Sequence, residues 1–230
     1  RPEYVERINN KDSIVKNGDP RIQRFSGYDQ LNFLQKIRFR PNEHWDLLYS
    51  FTHAKTGVAP RYDRLIQYRN GALRFAEWYY GPQKRFLAIY NMGYTMDGFF
   101  KNIDINANYQ SVRESRHNRN FGSAALNHRI EDVTVVGLQI SGVHKHERHD
   151  LRLGVDSYWN GVQSTASKEN ITNGVISPLN TRYPDGGNQQ WTTSAYASHT
   201  MKINESFTLN DGVRLGYNAL SSNFKDKSFF

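Results

Sequence analysis

The chain has 230 residues, 37% of them hydrophobic and 13% aromatic, with a formal net charge of +8. It has no cysteine, which excludes a disulfide scaffold and a cysteine metal site, and no run of about 18 apolar residues, which excludes a membrane-crossing helix. A mean hydropathy of −0.76 leaves too little apolar mass for a soluble domain of this size around one core; the scattered Lys and Arg suit an anionic small ligand or lipid surface better than the single basic stripe of a nucleic-acid binder.

Residues 1–26 are polar, carry the turn signal Asn17-Gly18-Asp19-Pro20 and read as a loop. The first strand is expected over about 28–40, with Leu31, Phe33, Ile37 and Phe39 on one face and Asn32, Lys36, Arg38 and Arg40 on the other. After the turn Pro41-Asn42-Glu43-His44, a second strand over about 45–54 gathers Trp45, Leu47, Tyr49 and Phe51. Residues 55–84 form a long insert. A third strand follows, with Phe86, Ala88, Tyr90, Met92, Tyr94 and Met96 on one face, and Asp97-Gly98 is a strong hairpin signal. The fourth strand, about 100–112, sets Ile103, Ile105, Ala107 and Tyr109 against Asn102, Asp104, Asn106, Asn108 and Gln110. The charged, Asn-rich stretch 113–129 reads as a loop. A fifth strand over about 131–144 mixes its faces, and His146-Glu147-Arg148-His149 turns the chain. The sixth strand sets Leu151, Leu153, Val155 and Trp159 against Arg152, Gly154, Asp156 and Asn160, and residues 164–188 form the next long loop. The seventh strand carries Trp191, Ala195, Ala197 and Met201. The turn Ile203-Asn204-Glu205-Ser206 leads to an eighth, where Phe207, Leu209, Val213, Leu215 and Tyr217 share a face.

Eight strands in four hairpins result, with short turns near residues 42, 97, 147 and 204 and long segments between them. Tight turns at one end and long loops at the other define an outer-membrane β-barrel, in which half of every strand faces a polar lumen. The strands exceed the about 9–11 residues of a tilted span, so they are expected to rise above the membrane. A soluble sandwich alternates too, and a carbohydrate-binding module of that kind is the alternative. Its connections do not sort so regularly into short and long.

Several stretches resemble the barrel of TonB-dependent outer-membrane receptors. The densest is Pro60-Arg61-Tyr62-Asp63-Arg64-Leu65, followed by Ala76-Glu77-Trp78-Tyr79-Tyr80-Gly81-Pro82-Gln83. Others are Arg24-Phe25-Ser26-Gly27-Tyr28-Asp29-Gln30 with Leu34-Gln35-Lys36, and Phe207-Thr208-Leu209-Asn210-Asp211-Gly212-Val213-Arg214. The resemblance implies a barrel of about 22 strands enclosing a plug domain. It also implies a Gram-negative outer-membrane location and energy-coupled uptake of an iron chelate through contact between the plug and a TonB-type energy-transducing protein. On this reading residues 1–230 are part of the barrel domain, an all-β antiparallel up-and-down transmembrane segment of about eight strands, without the plug and the terminal strands. The expected cargo is a ferric siderophore, with haem the nearest alternative and a passive porin another class.

The lipid-facing set would include Leu31, Phe33, Phe39, Leu47, Tyr49, Ile103, Ile105, Leu153, Leu209 and Leu215. Lys36, Arg38, Asp46, Asp104, Arg152, Asp156 and Arg214 would face the lumen, pairing across strands or holding a plug. The loop candidates for ligand contact are Arg61, Arg64, Tyr79, Tyr80, Arg113, Arg116 and His117. Arginine offers forked donors to carboxylate or catecholate oxygens, and aromatic rings stack on a flat ligand or pack the loop itself. His117 and His128 are possible haem-iron ligands. His144, His146 and His149 read as a solvated turn, and His53 and His199 carry no assignment. No enzyme motif, resident metal site or cofactor site is expected: there is no Gly-rich phosphate loop and no His-Glu-x-x-His.

Overall fold

The computed structural model describes residues 1–227. In chain order the elements are β1 (Glu3–Ile8), β2 (Lys11–Lys16), β3 (Gln30–Phe39), β4 (Trp45–Thr56), β5 (Ala59–Pro60), α1 (Tyr62–Leu65), β6 (Tyr68–Arg69), β7 (Ala72–Leu73), β8 (Phe75–Tyr80), β9 (Gln83–Thr95), β10 (Asn102–Asn120), β11 (Ala125–His146), β12 (His149–Asn170), β13 (Ile176–Pro178), β14 (Asn188–Lys202) and β15 (Thr208–Ser222). The wall is a meander, β3-β4-β9-β10-β11-β12-β14-β15, with each strand antiparallel to its neighbour. The four expected short turns lie at one end of it, here called the lower end, and every longer connection lies at the upper end. Strands β3 and β15 pair on one side only and are the two margins of the sheet.

Register explains why the alternating sequence folds this way. The residues Phe39, Leu47, Met92, Ile105, Ile140, Val155, Ala195 and Leu215 are consecutive cross-strand partners, one from each of the eight strands. Side chains alternate along a strand, so one row in register puts every apolar residue two positions away on the same side. The expected outward set lies on that side throughout. Adjacent rows form the opposite face, where Asp46, Gly93, Asp104, Ser141, Gly154, Tyr196 and Arg214 succeed one another across seven strands. This polar face is concave. A trough of about 520 Å³ is lined by residues from both margins, Arg38 and Arg214, and by Asp104 and Asp156 between them. Glycine admits the tyrosines: a Cβ at Gly154 would lie 2.4 Å from the Tyr196 ring.

The structure departs from the sequence reading at the upper end. Residues 113–129 are not a loop: β10 runs to Asn120, β11 starts at Ala125, and only a tight turn separates them. Likewise β12 continues to Asn170, well into the stretch 164–188. Other segments of the protein cover these extensions, their faces mix polar and apolar residues, and the two-faced signal fades. The N-terminal stretch, read as a loop, contains the hairpin β1-β2. The insert 55–84 holds four short strands and the one-turn helix α1. Strands β8 and β9 are one strand broken at Gly81, whose φ of +91° suits glycine alone. A Cβ there would also strike the Gly57 carbonyl oxygen at 2.1 Å.

Candidate functional site

Strand β8 pairs with the upper part of β10, Tyr80 opposite Arg116 and Tyr79 opposite His117. Alternation therefore sends Tyr80 and Arg116 to one side and Tyr79 and His117 to the other. On the first side Trp78, Leu65 and Phe75 are buried together, with Tyr80 packed against them. Arg61 caps the start of α1, and its backbone N–H donates to the Trp78 carbonyl at 2.8 Å. Its guanidinium carbon lies 4.8 Å from the Trp78 ring centroid, and its Nη1 donates to the Tyr80 hydroxyl at 3.1 Å. Arg116 also sits over both rings, at 5.6 Å and 5.5 Å. Two guanidinium groups thus share one pair of aromatic rings, an attraction between cation and ring quadrupole. Asp63 accepts from Arg61 Nε and Nη2 at 2.9 and 2.5 Å and lies 3.8 Å from Arg64 Nε. One carboxylate therefore serves two of the three arginines. The Nε atoms of Arg64 and Arg116 are buried and make no hydrogen bond. Three guanidinium groups beside one carboxylate leave the cluster with a surplus of positive charge.

On the second side Tyr79 stacks on His117, with centroids 4.7 Å apart and planes at 20°. His117 Nδ1 lies 2.7 Å from His128 Nδ1, and His128 Nε2 lies 3.1 Å from Glu169 Oε2. The carboxylate requires a proton on His128 Nε2, so in the neutral pair His117 donates its Nδ1 proton to His128. His117 is 8% exposed, and this site lies above the apolar band. Burial, reinforced by His128, pushes His117 down to about 4, while the Gly81 carbonyl acts in the opposite direction. Burial also pushes the Tyr79 hydroxyl up.

The seven candidates therefore divide. Arg61, Arg64, Tyr80 and Arg116 come together. Tyr79 and His117 meet each other across the sheet from them. Arg113 stands apart, its Nε and Nη2 donating to Asp132 at 2.6 and 2.8 Å. All except Arg61 and Arg64 are on strands. Sequence reasoning missed Arg119 and Asp12. Arg119, 2% exposed in its side chain, donates to Asp12 at 2.7 and 2.9 Å, to Glu77 at 2.7 Å and to the Ser123 carbonyl at 2.7 Å. Burial works against the Asp12 charge, but the bonds from Arg119 and the Gly122 N–H outweigh it and hold the carboxyl below its usual range. This pair pins the β1-β2 hairpin to the β10-β11 tip. It spans 107 residues, and no local spacing announces it. Glu131, paired with Arg182 at 3.4 Å, similarly holds the connection between β12 and β14. Among the described residues no group of three His, Cys, Asp or Glu is placed to hold a metal ion.

A single curved sheet, polar and concave on one face and mostly apolar on the other, with its long connections all at one end, is the wall of an up-and-down β-barrel. Solved structures share that fold. The copper transporter OprC matches with a TM-score of 0.68 at 13% identity, over 85% of this chain and 29% of its own. The ferric citrate transporter FecA, in its unliganded form, matches with a TM-score of 0.57 at 13% identity, over 85% of this chain and 30% of its own. The chain thus spans less than a third of either. No family model matches the sequence, and no curated protein matches it.

Proposed function

We propose that residues 1–230 form part of the barrel wall of a TonB-dependent receptor in a Gram-negative outer membrane, and that the whole receptor imports a small iron chelate, a ferric siderophore in the first instance. The observation that carries this is the apolar row shared by all eight strands with a charged trough behind it. Ten residues separate Trp45 from Lys55 on β4. At about 3.3 Å per residue and a tilt of about 40°, they span about 25 Å, the height of a barrel's lipid-facing band. Aromatic contacts lie toward both limits: Trp45 on Tyr94 at 4.5 Å below, and Phe33 on Phe51 at 5.5 Å above. Strands β3 and β15 would pair with further staves, since backbone groups facing hydrocarbon need partners.

The cargo reading rests on the arginines. Arg61, Arg64 and Arg116 repel a bare cation and attract an anionic complex, so a chelated metal suits this mouth better than a free ion. Of the two solved transporters, the one named for ferric citrate is closer to that chemistry. Haem gains less support, because His117 Nε2 is buried and both His128 nitrogens are engaged. Energy would come from a TonB-type protein acting through a plug. The test is binding of ferric chelates to the full-length protein in detergent, read by quenching of tryptophan fluorescence. R61A and R116A should each weaken an anionic chelate by about ten-fold, the worth of one charge-assisted contact. Affinity unchanged from the parent in both variants would remove the site from this cluster.

A further inference from the structure

We infer that Lys55, Lys84 and Arg113 form a docking site for the phosphate group of an outer-leaflet lipid, at the upper edge of the apolar band. The three are direct cross-strand partners on β4, β9 and β10. They belong to the apolar face, because each stands an even number of residues from Leu47, Met92 or Ile105 on its own strand. The row immediately below is Phe33, His53, Phe86 and Ser111, and no charge intervenes. All three basic residues are exposed. Asp132 is the one carboxylate in that row, and it is taken by Arg113. Lys55 and Lys84 have no ion pair among the described residues.

Cross-strand partners lie about 5 Å apart, and like charges so placed repel. Three cations in consecutive strands are therefore costly unless an anion lies over them. On a face whose larger part is apolar, the fitting anion carries acyl chains for the band below and a phosphate for the row above. The inference rests on the membrane reading of the wall and adds a ligand class and an address to it.

The experiment uses the full-length protein in mild detergent and native mass spectrometry. Phosphatidic acid is the probe, with uncharged diacylglycerol and inorganic phosphate as separate arms. K55Q/K84Q, which leaves the Arg113–Asp132 pair intact, should lower retention of phosphatidic acid by about ten-fold, given the attraction of each basic residue for an anionic surface. K145Q/K202Q, at the lower end, should leave retention unchanged, and diacylglycerol should bind weakly to every form. Unchanged retention in K55Q/K84Q overturns the inference. So does displacement by inorganic phosphate alone, which would mark a small-anion site. A full-length protein that stays folded and monodisperse without detergent overturns the membrane reading itself, a different failure that the solubility measurement identifies separately.

Discussion

The lower and upper halves of the wall use the same strands in opposite ways. Below the level of Lys55 one face is mostly apolar, the other mostly polar, and the strands hold one another by register. Above it the strands continue, but neither face keeps an unbroken apolar row, and folded connections cover them. Buried residues there include Arg119, Glu131 and His117, and these make ion pairs and hydrogen bonds. The lower half is organised by the division of its two faces, the upper half by contacts with the segments folded over it. A hydrophobic wall tolerates exchange among apolar residues, whereas a buried charge accepts few replacements.

The sharpest way to test that contrast is R119A. It removes the bidentate partner of Asp12, 1% exposed in its side chain, leaving only Arg7 at 3.8 Å and the Gly122 N–H, and the attachment of the hairpin should weaken by about 3 kcal/mol. Hydrogen exchange of the amides in 3–16 should then rise while that of the lower strands stays constant; exchange spreading through the whole wall would break the two-region picture. Next comes L138R, in the middle of the apolar band, expected to cost about 2–4 kcal/mol in folding of the full-length protein into lipid vesicles. Q139R, one residue on and facing the trough, should cost much less, and equal costs would refute the assignment of faces. A smaller effect is expected with pH. His117 is held at about 4 against its ordinary 6.5, so an opened upper end takes up a proton that the closed form resists. Closure is fully favoured above pH 6.5 and weakens as pH falls toward 4. Exchange at residues 115–128 should rise across that window in the parent and stay flat in H117N. The smallest effect is expected from R38A, because Arg38 pairs with Asp46 in the open trough and Arg40 also reaches that carboxylate at 2.9 Å. A change in thermal unfolding there comparable to that of R119A would place stability in the lumen charges instead.

The same contrast explains what was legible in the sequence. The eight staves, their four tight turns and the two faces could be read because hydrocarbon-like and wet surroundings alternate along Ile103–Gln110 and along Leu151–Asn160. Periodicity vanished where surroundings on both sides became protein, so the upper parts of β10, β11 and β12 passed for loops. Arg61, Arg64, Tyr80 and Arg116 were found as residue types, but nothing in their spacing indicated that the strand would divide Tyr79 from Tyr80. The Arg119–Asp12 pair depends on where a distant hairpin lands, which no window of sequence contains.

The row from Phe39 to Leu215 carries an arithmetic for evolution. Deleting one codon inside a stave would slide every residue beyond it to the wrong side, and its seven companions would have no means of compensating. Length changes in the wall should therefore survive in twos, while the connections overhead can gain or lose any number, so variety can accumulate there without rewriting the sheet.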